Sequence, residues 1–430
     1  MKQIFKNVVV AVLTWEARMV LRRYQPFIIA VTGSVGKTST KDAIFGVLKN
    51  HRTVRKSEKS FNSEIGVPLS VLGLPNAWGN PFLWTKNFFD GFMQVLFSHP
   101  YPEVLVLECG VDRPGDMAKL ATWLKPDIIV MTRLPDVPVH VEYFGTPEAV
   151  VAEKLELLRA LKPEGVFIYN HDDMKLQEVA KEVRQSSVGF SRYLPSHFTA
   201  SHDEVIYHDD QPVGSSFTVT HLHNTAVVKV MGSVGIQNAY IYTAAAAVAD
   251  QFDIPLTAVT AAFTDYTSPA GRMRMIPGIK GSLIIDDTYN SSPIAADSAL
   301  QSLAELRGAK RKIAVLGDML ELGQYSSREH ERVGELAAKS ADILLTVGVR
   351  SRKTAEAALE HGLAESNIFQ YEDSAKAGRE LQNMIKPGDF ILVKGSQGVR
   401  AERVVEEVMA EPERAEELLV RQDQSWKSKA

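Results

Sequence analysis

Chemistry is most legible at Thr32-Gly33-Ser34-Val35-Gly36-Lys37-Thr38-Ser39. Glycines at 33 and 36 let backbone N–H groups turn toward one point without obstruction by Cβ atoms. A β-prone run, Phe27 to Val31, enters the turn, and a stretch with helical spacing, Thr38 to Leu48, leaves it. That context aims amides and a helix N-terminus at phosphate. Lys37 is placed to reach β- and γ-phosphates, and the Thr38 hydroxyl to hold Mg²⁺. Gly33, Ser34, Val35, Gly36, Lys37, Thr38 and Ser39 are therefore the candidate nucleotide-binding residues. The general loop pattern has a further glycine five residues before Gly36, where this chain has Val31, so the loop is a shorter variant.

Glu108 closes the buried-strand candidate Val104 to Leu107. A carboxylate at the carboxyl end of a parallel strand sits where open α/β sheets bind ligands; otherwise it is a solvated strand end. His140, Lys154, Asn238 and the pair Asp286-Asp287 each admit a plain structural role. These are an exposed histidine, a helix-surface lysine between Glu153 and Glu156, and two helix caps. No Cys-x-x-Cys, His-Glu-x-x-His or Gly-x-Ser-x-Gly element occurs, so zinc-enzyme and serine-hydrolase readings lack support.

The elements that must position these residues alternate. Strand candidates at Val104–Leu107, Ile128–Met131 and Val166–Tyr169 are separated by helical patterns at 115–124 and 147–161. This predicts a mostly parallel sheet covered by helices. Residues 185–230 alternate differently and predict a β-rich insertion with hairpins, followed by an Ala-rich helix at 238–251. A second α/β unit begins near 270, with strands at 282–286, 312–316, 343–347 and 390–393 and helices at 293–306, 327–339 and 400–410. The expected fold class is α/β: a central P-loop parallel-sheet ATPase domain with a β-rich insertion, plus a C-terminal Rossmann-like α/β domain. The expected units are an N-terminal amphipathic helix (1–26), a central ATP-binding domain (27–269), a C-terminal α/β domain (270–412) and a charged tail (413–430).

The composition sets bounds. The chain has 430 residues, of which 45% are hydrophobic and 23% charged, an ordinary globular balance. Lys+Arg 48 against Asp+Glu 52 gives a net charge of −4, which argues against a general nucleic-acid binder. The single cysteine, Cys109, cannot form an internal disulfide, which suits a reducing cytoplasm. No apolar run reaches the roughly 18 to 20 residues of a membrane span. Residues 3–23 read as a helix with a basic end at Arg18, Arg22 and Arg23. It is either docked on the body of the protein, the favoured reading, or laid on an anionic membrane surface.

Taken with its neighbours, the short phosphate loop resembles that of the Mur ligases and the related folylpolyglutamate and cyanophycin synthetases. The resemblance runs from about residue 27 to 410 through several ordered motifs. Asn62-Ser63-Glu64-Ile65-Gly66-Val67-Pro68 is similar to a family turn, and Glu108 to a Mg²⁺ ligand. His140 in Pro138–Gly145 resembles the ligand of a second Mg²⁺. Lys154 matches a lysine that is carbamylated by CO₂. Asn238 resembles an adenine contact, Arg272 in Gly271-Arg272-Met273 a phosphate contact, and Asp287 in Asp286–Pro293 a ribose contact. Gly317–Gly323 and Lys394–Gly398 resemble segments around the acceptor amine.

By this resemblance, Lys37, Lys154, His140 and Arg272 are catalytic. Thr38, Glu108, His140 and Lys154 hold metal. Asn62, Tyr289, Asn290, Lys394 and Gly395 meet substrate. The cofactors implied are ATP, two Mg²⁺ ions and a carbamate. The activity implied is ATP-dependent amide ligation in peptidoglycan precursor synthesis through an acyl phosphate, with a muramoyl-peptide carboxylate and D-Ala-D-Ala as substrates. A ligase of the same mechanism on another amino-acid polymer or cell-wall peptide, and a P-loop ATPase switch or motor, are the alternatives. A monomer is expected. Only about 26 residues precede the first strand, so the family's N-terminal UDP-sugar-binding domain is expected to be absent or replaced by helix 3–23.

Overall fold

The computed structural model describes residues 2–58, 61–264 and 266–427. The first strands are β1 (Phe27–Thr32), β2 (Val54–Lys56), β3 (Val104–Glu108), β4 (Ile128–Met131), β5 (Val166–Asn170) and β6 (Ser186–Ser191). After them come β7 (Phe198–His208), β8 (Gln211–His221) and β9 (Asn224–Met231). They form one sheet in the order β2-β3-β1-β4-β5-β6-β7-β8-β9. Strands β1 to β6 pair in parallel, β7 joins β6 in parallel, and β7, β8 and β9 pair antiparallel. Residues 185–230 form the expected β-rich hairpins, and these extend the central sheet at its edge. Their alternation foretells strands, but alternation carries no information about which strand they pair with.

β1 lies inside this sheet, between β3 and β4. Its side chains alternate between two cores, as the strand period requires. Ile29 and Val31 pack with the helix Lys37–Leu48 (α2) and the Ala-rich helix Gln237–Asp250. Ile28 and Ala30 face the other core, which includes Val9, Leu13, Ala17 and Val20 of the first helix, Lys2–Tyr24 (α1). That spacing is one stripe of an α-helix. Two helices that sequence periodicity left unread, α3 (Gly66–Leu72) and α4 (Pro81–Leu96), pack against α1. Of the two readings of helix 3–23, the docked one is observed, because its apolar stripe is spent on the protein core. No helix among the described residues is long and apolar enough to cross a membrane.

The second sheet contains β10 (Arg274–Pro277), β11 (Leu283–Asp287), β12 (Arg311–Gly317), β13 (Ile343–Val347), β14 (Ile368–Tyr371) and β15 (Asp389–Lys394). Their order is β10-β11-β15-β12-β13-β14, with only the β10–β11 pairing antiparallel. The α/β class and the two parallel sheets expected from the alternation are both present.

Residues 413–427 depart from the charged tail that their composition suggests. Leu418, Leu419 and Val420 are buried. Arg421 pairs with the fully buried Glu402 at 2.9 Å and donates to the Thr288 carbonyl at 3.1 Å. The chain end is thus folded onto the loop that follows β11. Residues 428–430 of the expected tail lie outside the described residues.

Candidate functional site

The loop between β1 and α2 has left-handed glycines at both ends. Gly33 has φ +129° and Gly36 has φ +82°. A Cβ on Gly33 would overlap the Thr132 hydroxyl after β4, so the close approach of these chains demands glycine. The loop is braced there: Ser34 N donates to Arg133 O at 2.9 Å, and Thr132 Oγ1 donates to Val35 O at 2.6 Å. No side chain caps α2. Its first amides are left for an anion.

Thr38, in the first turn of α2, donates to Glu108 Oε2 at 2.9 Å. Glu108 ends β3, the neighbour of β1, with Val31 and Glu108 in register. Its other oxygen accepts from Asn62 Nδ2 at 3.2 Å, and its backbone N–H meets the Ser57 hydroxyl at 3.0 Å. The structure thus puts Asn62 on the Glu108 carboxylate. A buried carboxylate and a hydroxyl at hydrogen-bond distance offer the hard oxygen donors that Mg²⁺ takes, with phosphates completing the shell. Among the described residues no group of three or more His, Cys, Asp and Glu is arranged for a metal by protein atoms alone.

Burial pulls the Lys37 ammonium below its ordinary range, and the charge of Arg272 adds to this, while Glu108 and Asp112 oppose it. Lys154 is only 2% exposed. Burial first, and then the charge of Lys37, pull its amine down to about 7, against opposition from Asp112 and Glu153. Lys154 is held in place by its neighbour. Glu153 accepts from the N–H groups of Gly115, Met117 and Ala118 at 2.9, 2.7 and 3.2 Å, and so ties the Pro147–Leu155 helix to the helix Asp116–Ala121 (α5). Lys154 is therefore no solvated surface lysine.

His140 adopts φ +69°. Its Nδ1 lies 2.7 Å from Glu321 Oε2 of the C-terminal unit, and its Nε2 lies 3.7 Å from Asp112. The imidazole holds the Glu321 carboxyl below the usual carboxylate range. Neither Glu321 nor Asp112 stands out in the sequence. The Gly317–Gly323 motif was the one available signal for Glu321.

Arg272 brings the second unit to the loop. Its Nη2 is 3.4 Å from Thr38 Oγ1, and its guanidinium lies 4.0 Å from the centre of the Tyr289 ring. The segment around it is fixed by the acidic pair. Asp286 accepts from Gly271 N at 3.0 Å and Asp287 from Met273 N at 3.3 Å. Asp286 also accepts from the Thr288 hydroxyl at 2.6 Å, and burial raises its carboxyl to about 6. Asp287 forms a buried ion pair with Lys394 at 2.6 Å, and Lys394 also donates to Asn290 O at 3.0 Å. The cap reading of the pair does not hold, because Ser292 caps the following helix. A Cβ added to Gly395 would come within 3.3 Å of the Ala401 Cβ and 3.4 Å of the Gly317 Cα, so the chains pass closely there.

A pocket between the units is lined by Val35, Gly36, Ser39, Asn238, Arg272 and Asp287, among others. Asn238 does not cap its helix; it is buried, with Nδ2 3.4 Å from Ser233 Oγ. A second cleft, of about 620 Å³, is bordered by Asp112, His140, Asn290, Glu321 and Ser396. Several of the predicted residues therefore meet at the inter-domain junction, while Asn62, Lys154 and Gly395 line neither cavity.

A glycine loop feeding a helix on a parallel sheet, faced by an arginine of a second domain, defines a P-loop enzyme that works on a nucleoside triphosphate. The comparisons agree. The profile of the Mur ligase middle domain matches residues 91–249, and that of the Mur ligase glutamate ligase domain matches 271–397. A UDP-N-acetylmuramoyl-tripeptide–D-alanyl-D-alanine ligase from Mycobacterium leprae is 30% identical over 396 residues, covering 86% of this chain and 71% of that protein. The Bacillus subtilis protein of the same name is 29% identical, covering 92% and 79%. The crystal structure of MurF ligase from Thermotoga maritima in complex with ADP superposes with a TM-score of 0.74 at 26% identity, covering 93% of this chain and 83% of that one. The chain belongs to the Mur ligase family. It is an ATP-dependent ligase that forms amide bonds.

Proposed function

We infer that this enzyme joins D-Ala-D-Ala to the terminal carboxylate of a UDP-muramoyl tripeptide. The observation that carries the reading is the meeting of Lys37, Thr38, Glu108 and Arg272 at the mouth of the loop, beside a cleft containing His140. In this reading the loop amides and Lys37 hold the β- and γ-phosphates. Arg272 and Lys37 offset the negative charge that grows as the carboxylate oxygen attacks the γ-phosphorus and ADP leaves. The acyl phosphate so formed is attacked by the amine of the second substrate. Phosphate then departs, the amine proton is released, and an amide remains.

Asn238 and Asp287 lie where adenosine would sit, and Tyr289 backs the Arg272 guanidinium. Asn290 borders the cleft from which the amine approaches, whereas Lys394 lines the nucleotide pocket beside Asp287 and Gly395 lines neither. Thr38 and Glu108 would hold one Mg²⁺, with His140 and Lys154 beside a second. Such ions neutralise phosphate charge and align the reacting groups. Glu321 orients His140 for that place. An amine as easily deprotonated as Lys154 is suited to take up CO₂, and the resulting carbamate supplies an oxygen donor. Closure of the C-terminal unit aligns the amine and excludes water. We read the protein as a cytoplasmic monomer.

The test is phosphate release with UDP-muramoyl tripeptide, D-Ala-D-Ala and ATP. Release that requires all three is expected. Steady release without the amine, or none with any muramoyl peptide, would refute the assignment.

A further inference from the structure

A cavity of about 560 Å³ lies between α1 and the central domain, outside the junction described above. α1 lines it from Val10 to Arg22, twelve residue steps or ~18 Å along the helix axis. Ser63, Glu64 and Asp116 border both this groove and the His140 cleft, so the two cavities communicate there. Arg18, Arg22 and Lys119 border the groove alone.

The charges at the two ends differ. At the shared end, Glu64 is paired with Lys6 at 2.7 Å, and Asp116 Oδ2 accepts from the Asp112 and Arg113 amides at 3.2 and 2.8 Å. Among the described residues, the side chains of Arg18, Arg22 and Lys119 have no ion-pair or hydrogen-bond partner. Three uncompensated cations on two helices repel one another and focus a positive field into the cleft. Guanidinium forks match phosphate oxygens in pairs. Trp15 and Trp123 supply flat walls beside them.

Resting on the proposed function, we propose that this groove binds the diphosphate linkage at the carrier end of the muramoyl substrate. With the peptide carboxylate at the reaction cleft, an extended tripeptide covers ~10 Å. The sugar takes up most of the rest of the groove, which brings the diphosphate to the cationic end. The diphosphate can come from a nucleotide or from a lipid carrier; both present the same pair of phosphates.

The test is tryptophan fluorescence with the phosphate loop saturated by ADP, titrating inorganic pyrophosphate and UDP-N-acetylglucosamine. Two variants on different helices guard against misfolding: the double Arg18→Gln/Arg22→Gln, and Lys119→Glu. Each should weaken both probes by about tenfold or more. Each should raise KM for UDP-muramoyl tripeptide by a similar factor and leave kcat within about twofold. KM for a muramoyl tripeptide lacking diphosphate should not move. Equal effects on both substrates, no effect on either, or a wild type blind to both probes would overturn the proposal. A lower KM for the lipid diphosphate in vesicles than for the UDP form, or the reverse, identifies the source when both depend on the arginines. Loss of probe binding in the variants, with no ligation of any muramoyl peptide, would leave the groove standing and refute the functional reading instead.

Discussion

Replacing Glu16 with glutamine should make the protein more stable at pH 8 and leave it nearly unchanged at pH 4.5. Glu16 lies on the buried side of α1, 2% exposed, against α4 at Gly91, where an added Cβ would overlap its carboxylate. Its Oε2 has no hydrogen-bond partner. Burial pushes the carboxyl from 4.5 up to about 7. Between those two pH values the folded protein keeps a proton that the unfolded chain has released. Stability therefore falls as pH rises through this window, and the loss is complete above about pH 7. The difference of about 2.5 pH units corresponds to about 3 kcal/mol. Glutamine keeps the shape and cannot ionise, so Glu16→Gln should recover most of that at high pH. For a domain of this size each kcal/mol moves Tm by roughly 2–4 °C. Thermal unfolding at pH 8 should place the first transition of the variant several degrees above wild type, with the gap closing by pH 4.5. A gap of the same size at both pH values, or a wild type more stable at pH 8 than at pH 5, would refute the reasoning.

Arg272→Ala removes the guanidinium that reaches Thr38 and should lower kcat/KM for ligation on the order of 100-fold; Arg272→Lys should not restore it, since lysine lacks the planar fork and the stacking on Tyr289. Asp287→Asn leaves Lys394 buried without its counter-charge and should cost about 3–5 kcal/mol, read as a lower unfolding midpoint in urea. Lys154→Ala should cut ligation by about 10- to 100-fold or more while ADP affinity, measured by calorimetry, stays within about threefold.

The phosphate loop is legible because its requirements are local: a strand, two left-handed glycines and a helix start, all within a dozen residues. Glu108 is legible for a related reason, since a strand end in a parallel sheet has a known place. The work of Asp286 is not, because it depends on Gly271, fifteen residues away across an antiparallel pair. Nor is that of Glu153, whose neighbours suggest a solvated helix face, although its carboxylate caps another helix. The packing of Leu418 to Arg421 was hidden by the charge around it; three consecutive apolar residues were the available signal. Alternation in 185–230 revealed strands but not their sheet, because pairing is a long-range choice.

One consequence follows from where Arg272 stands. It belongs to the C-terminal unit, four residues after Ser268, and it shares a pocket with Gly36 and Asp287. The walls of that pocket come from both units, so a nucleotide bound there, as proposed, would hold them together like a pin through two plates. On that reading, spent ADP leaves as the plates part. Its residence time therefore measures how often the molecule breathes at this joint, and a substitution that stiffens residues 268–272 would slow exchange without touching a phosphate.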